Sequence, residues 1–200
     1  MKINTWLALG DSYTIGEGVP LHENFPYQAL QLLRNRGLLF HAPEIIAKTG
    51  WTSDELIAHM QQVRLQQEYD RVSILIGVNN QYRGMDVKDF ETTLEWLAAK
   101  ALQFTNGHAE RVVVISIPDW GVTPFAQDRD ASAIHDAIDR FNAVNQKLSR
   151  EKGFHYIDIT TDYRSTGMLQ ESVVEDMLHP SGKVYKEWAQ KVAEVFYIEK

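Results

Sequence analysis

Strand-like and helix-like stretches alternate along this chain, which predicts an α/β protein: a parallel sheet between two helical layers, an α/β/α sandwich. Three observations carry that expectation. Five short apolar runs are separated by segments with helical spacing. One run, Val112-Val113-Val114-Ile115, has no polar position, as in a parallel strand covered on both faces. And 200 residues suit a single domain, 1–200, able to bury about 70% of its unfolded surface.

The elements follow in order. Ile3 to Leu9 reads as a first strand, stopped by Gly10-Asp11-Ser12. Residues 19–27, with Pro20 and Pro26, read as a loop. From Tyr27 to Arg36 the spacing of Ala29, Leu30 and Leu33 suits a helix, and Gly37 stands where helices commonly stop. Pro43 to Lys48 is a second strand, ended by Thr49-Gly50. Thr52-Ser53-Asp54-Glu55 has capping-box spacing ahead of Leu56, Ile57 and Met60. Asp70 to Gly77 is the third strand and leads into Val78-Asn79-Asn80. Asp86 caps a long helix carrying Phe90, Leu94, Leu97, Ala101 and Leu102. Arg111 to Ile117 is the fourth strand, followed by a loop rich in proline and aromatics, Pro118 to Phe125. A helix from about Ser132 to Arg150 precedes the fifth strand, Phe154 to Asp158. An irregular stretch then reaches Asp176-Met177-Leu178-His179-Pro180, and a last helix keeps Tyr185, Trp188, Val192 and Phe196 on one face.

Composition excludes several classes. The net charge is −7, with Lys and Arg scattered, so there is no basic stripe for nucleic acid. With no cysteine there is no disulfide, thiolate metal site or cysteine nucleophile. The apolar stretch before Gly10 is only four residues, Trp6 to Leu9, too short for a signal-peptide core, and no run reaches membrane-spanning length. The expectation is a cytoplasmic protein with no membrane partner.

Ser12, Gly50, Asn79 and the Asp176–His179 pair follow the first, second, third and fifth strands. A parallel sheet puts all strand exits on one edge, so topology alone gathers these residues. Each has an ordinary reading by itself: a helix start, a loop glycine, a turn residue. Together they have the parts acyl transfer needs. A serine hydroxyl needs an adjacent base, which a histidine supplies near neutral pH. The base needs a carboxylate on its other ring nitrogen, and Asp176 lies three residues before His179. The Ser12 and Gly50 amides and the Asn79 side chain are candidate donors for the oxyanion.

These segments resemble the SGNH, or GDSL-type, hydrolase family. Its blocks stand here as Gly10-Asp11-Ser12, Gly50, Gly77-Val78-Asn79-Asn80 and Asp176-Met177-Leu178-His179. The resemblance implies a flavodoxin-like fold with a five-stranded parallel sheet, and ester hydrolysis without metal or cofactor. It implies Ser12 as nucleophile, His179 as base, Asp176 as orienter, and Ser12, Gly50 and Asn79 as the oxyanion hole. The implied partner is a small-molecule acyl ester. Asn80 departs from the pattern, standing where the family usually has Asp, and bears on how Asn79 is held. The Gly-x-Ser-x-Gly elbow of another esterase fold is absent.

Two other functions use the same residues: a carbohydrate O-acetylesterase, and a non-catalytic module binding a small acid or sugar. His22, His41, His59, His108, His135 and His155 read as surface or packing residues. His135, Asp136 and Asp139 read as a solvated helix face rather than a metal cluster. Gly16-Glu17-Gly18 reads as a turn, and Asp11 as structural within its loop. Trp51, Tyr82, Trp120 and Phe125 fall in loops near the rim, where pocket lining and plain packing are equally open.

Overall fold

A computed structural model describes residues 2–197. Five parallel strands form one sheet in the order β2-β1-β3-β4-β5. They are β1 (Trp6–Asp11), β2 (Glu44–Lys48), β3 (Arg71–Leu75), β4 (Val112–Ile115) and β5 (His155–Ile157). Among the described residues eight α-helices accompany them: α1 (Ser12–Ile15), α2 (Phe25–Asn35), α3 (Ser53–Met60), α4 (Val78–Tyr82), α5 (Val87–Phe104), α6 (Ala131–Lys152), α7 (Thr160–Thr166) and α8 (Gly182–Tyr197).

Strand order dictates the layers. The step from β1 to β2 runs one way across the sheet, and every later step runs the other way. Since parallel crossovers are right-handed, α2 must cover one face and α3, α5 and α6 the opposite face. The packing agrees: α2 lies against α8, while α5 packs on both α3 and α6. The reversal leaves a crevice beyond the carboxyl ends of β1 and β3, where Gly10 is in register with Leu75.

The sheet interior is largely apolar, with Leu7, Leu9, Val72, Ile74, Val112 and Val114 buried. Trp6 sits between Phe25 and Phe196, with ring centroids at 6.4 and 5.1 Å, and its indole N–H donates to Ser73 Oγ at 3.0 Å. The expected α8 face, Tyr185, Trp188, Val192 and Phe196, is buried.

Local signals explain the boundaries. Asp86 accepts from the Lys88 N–H at 2.8 Å to start α5, and Thr52 N–H donates to Glu55 at 2.9 Å to complete the capping box of α3. Most strands are a residue or two shorter at one or both ends than the sequence reading, and three differences have a clear cause. The first strand begins at Trp6, because Asn4 makes only an isolated bridge to Phe40, and runs on to Asp11 because β2 pairs with it that far. Pro26 belongs to the first turn of α2, where its missing N–H costs nothing. The irregular stretch after β5 contains α7.

Candidate active site

Ser12 leaves β1 directly as the first residue of α1 rather than from an open turn. Asp11 caps that turn, its Oδ1 accepting from the Tyr13 N–H at 3.0 Å. Close packing behind it requires Gly10, since a Cβ there would lie 2.0 Å from Thr14 Oγ1 and 2.5 Å from the Leu75 carbonyl. The Ser12 hydroxyl makes no hydrogen bond among the described residues. Asp11 thus has a structural role as the cap of α1, and it is also electrostatically unusual. Burial pushes its carboxyl up to about 7, only partly opposed by the Tyr13 N–H.

That shift has a measurable sign. The folded pKa lies above the ordinary 3.8, so the folded state holds an extra proton between those values. The contribution favours folding at low pH and is lost as pH rises toward 7. Asp11→Asn keeps an acceptor for Tyr13 and cannot ionise. Its urea midpoint relative to wild type is expected to climb between pH 4 and 7 and level off above; parallel profiles would contradict the assignment.

Gly50 occupies the third position of a turn closed by Trp51 N–H donating to the Lys48 carbonyl at 3.2 Å. Its φ of +82° is what a type II turn demands there. The Gly50 N–H has no backbone or side-chain acceptor among the described residues. Asn79 lies on α4, not in a loop, and α4 starts from Gly77 at φ +125°, where any side chain would strike Phe90 at 2.7 Å. The Asn79 amide donates to the Trp51 carbonyl at 3.0 Å and lies 3.5 Å from Asp11 Oδ2.

Asn80 answers the question its identity raised. It is buried and bonds one residue twice: Oδ1 accepts the Ser53 N–H at 3.0 Å, and Nδ2 donates to Ser53 Oγ at 2.9 Å. An amide provides both an acceptor and a donor for this grip, which ties α4 to the start of α3.

Asp176 and His179 reach the same edge by a route the sequence reading missed. They do not sit at the exit of β5, because α7 and a 3-10 turn at Gln170–Ser172 intervene. An antiparallel bridge between Val173 and Pro180 folds the segment back, with the Val174 N–H donating to the His179 carbonyl at 2.9 Å. Asp176 Oδ1 accepts from the Leu178 and His179 amides, both at 2.9 Å, and Oδ2 bonds His179 Nδ1 at 2.5 Å. Burial pulls the Asp176 pKa upward, but the His179 ring and these amides outweigh it and hold the carboxyl below its ordinary value. An ionised Asp176 fixes the ring proton on Nδ1 and leaves Nε2 as an acceptor. The Tyr13 ring backs the imidazole at 5.1 Å.

Ser12, Gly50, Asn79 and His179 all line one cavity, with Asp176 behind the imidazole. No hydrogen bond joins Ser12 to His179. The rest of the wall is largely apolar: Val78, Leu178 and three of the four rim aromatics, Tyr82, Trp120 and Phe125. Trp120 meets Tyr82 and Phe125 edge-on at 5.2 and 6.2 Å. Trp51 is different, its ring packing on His59 at 4.8 Å while its carbonyl serves Asn79.

Elsewhere, His135 and Asp139 are not simply solvated. His135 Nδ1 bonds the buried Asp119 at 2.5 Å, and Arg164 bridges Asp119 and Asp139 at 2.7 and 2.8 Å. Asp119 also caps the turn bearing Trp120, so this network supports the cavity wall. Among the described residues, no three of His, Asp and Glu converge as a metal ion requires. No helix among them is long and apolar enough to cross a membrane.

The family model described as GDSL-like lipase/acylhydrolase matches residues 8–187. No curated protein matches the sequence. Among solved structures, a lipase/acylhydrolase from Enterococcus faecalis is 20% identical with a TM-score of 0.77, over 99% of this chain and 98% of that one. TesA is 18% identical with a TM-score of 0.76, over 96% and 97%. Axe2, an acetylxylan esterase from Geobacillus stearothermophilus, is 20% identical with a TM-score of 0.75, over 100% and 98%. At these identities the likeness establishes a shared three-layer fold.

Proposed function

We propose that this chain, which belongs to the GDSL-like lipase/acylhydrolase family and so to the hydrolases of ester bonds, cleaves esters of apolar acids through a covalent acyl-serine. The observation that carries this is the shared cavity: a serine hydroxyl with no hydrogen bond among the described residues, and an imidazole whose far nitrogen is bound to a carboxylate.

In this reading Ser12 Oγ attacks the ester carbonyl as its proton passes to His179 Nε2. The oxyanion is met by the Ser12 and Gly50 N–H groups and the Asn79 amide. The imidazolium, stabilised by Asp176, then protonates the departing alkoxide as the C–O bond breaks. A water molecule, deprotonated by the same nitrogen, attacks the acyl-serine, and the acid leaves as Ser12 regains its proton.

The apolar wall supports the choice of acid. Removal of acetyl from a carbohydrate, the reaction named for Axe2, calls for polar groups to meet sugar hydroxyls. Here the Trp120 indole N–H is already given to Gln81 at 2.7 Å, and the Thr49 hydroxyl to Glu17. A fluorophosphonate is expected to label wild type at Ser12, located by peptide mass spectrometry. In a p-nitrophenyl series, kcat/KM should rise from acetate to butyrate and exceed that for acetylated xylo-oligosaccharides. No labelling would favour a binding module, and a preference for the sugar acetates would favour the carbohydrate esterase.

A further inference from the structure

We infer that Arg83 is a positioning residue for this hydrolysis, its guanidinium holding the turn that presents the Gly50 N–H. The inference rests on the reading of Gly50 as an oxyanion donor. Arg83 directly follows α4, and none of the motif blocks includes it. Its Nη2 donates to the Gly50 carbonyl at 2.6 Å, and its Nη1 pairs with Glu55 at 3.3 Å.

In the turn Lys48–Trp51, the central Thr49–Gly50 peptide carries the donor and is the one that flips between turn types I and II. The next peptide, Gly50–Trp51, is held at both ends: its oxygen by Arg83, its N–H by the Lys48 carbonyl. Beyond it the Trp51 carbonyl is held by Asn79, and Ser53 by Asn80. One short segment, residues 79–83, thus grips the loop 50–53 at three successive places. Arg83 is the grip nearest the donor. Glu55 orients the guanidinium and is itself fixed by the Thr52 N–H at 2.9 Å.

The Arg83 side chain is 48% exposed, and exposed ion pairs add little to stability. Its consequence is therefore aim. A donor accelerates acyl transfer only when it points to where the negative charge develops, and a displacement of about 1 Å is enough to lose much of that benefit.

The test compares Arg83→Met and Arg83→Lys with wild type, using p-nitrophenyl butyrate and an alkylboronic acid that forms a tetrahedral adduct on serine. For Arg83→Met, kcat is expected to fall about ten-fold with KM within about two-fold, and boronate affinity to weaken by the factor lost from kcat. Tm should stay within about 3 °C. Arg83→Lys should recover part of the rate, because an ammonium can still donate to the Gly50 carbonyl. Unchanged kcat and boronate affinity in Arg83→Met would overturn the inference, and so would a rate loss that tracks a fall in Tm and is not relieved by lysine. A wild type that neither turns over ester nor reacts with fluorophosphonate overturns the serine-hydrolase reading instead; an active wild type with an indifferent Arg83→Met overturns only the role of Arg83.

Discussion

Ser12→Ala is expected to lower kcat for p-nitrophenyl butyrate by on the order of 10⁶-fold, the loss that follows when the nucleophile of such a triad is removed. The fold should not notice. The Ser12 hydroxyl has no hydrogen bond among the described residues to lose, and alanine is a better helix former at the first position of α1. His179→Ala is expected to cost about as much, since a hydroxyl without its base is a poor nucleophile. The informative variant is the double one. If the two side chains act as one device, removing both costs no more than removing either, a strong departure from additivity. Initial rates and thermal melts on the three variants decide it. Residual activity above about 1% in Ser12→Ala, with the melt intact, would mean that the ester is cleaved by other groups.

What could be read from the chain and what could not divide along physical lines. Strands β3 and β4 and helices α5, α6 and α8 were legible because their signals are local: apolar runs, spacing over several turns, Asp86 as a cap. The first three blocks, at Ser12, Gly50 and Asn79, were legible because topology alone brings the exits of β1, β2 and β3 to one edge. Helices α1 and α4 were not, since four or five residues complete scarcely more than one turn and leave no period to detect. The return of Asp176 and His179 depends on a two-strand bridge, Val173–Pro180, that no local pattern announces. The aromatics illustrate the same limit. Trp51 and Trp120 look alike in sequence, yet His59 takes the first ring aside while the Asp119 turn holds the second in the cavity. Arg83, thirty-three residues from the carbonyl it binds, belongs to this class of long-range partners.

In the proposed mechanism, Gly50→Ala isolates the contribution of a single backbone donor. A Cβ at this position would find only Arg83 Nη2, at 3.8 Å, so steric exclusion is not the issue. The difficulty is conformational: φ is +82°, and an L-residue in the left-handed region costs about 1–2 kcal/mol. Flipping the Thr49–Gly50 peptide converts the turn from type II to type I and relieves that strain, while the Trp51-to-Lys48 bond that closes the turn survives. On the reading of Gly50 as an oxyanion donor, the flip turns the N–H at position 50 away from the cavity. Stability therefore changes little, and kcat is expected to fall by about 10²–10³, the usual cost of one lost oxyanion donor. KM should hold nearly steady, because the missing bond matters most once the carbonyl oxygen becomes negative. Steady-state kinetics and boronate affinity on the purified variant test this together. Full activity in Gly50→Ala would show that the donor at this position is dispensable, leaving the Ser12 amide and Asn79 to hold the oxyanion.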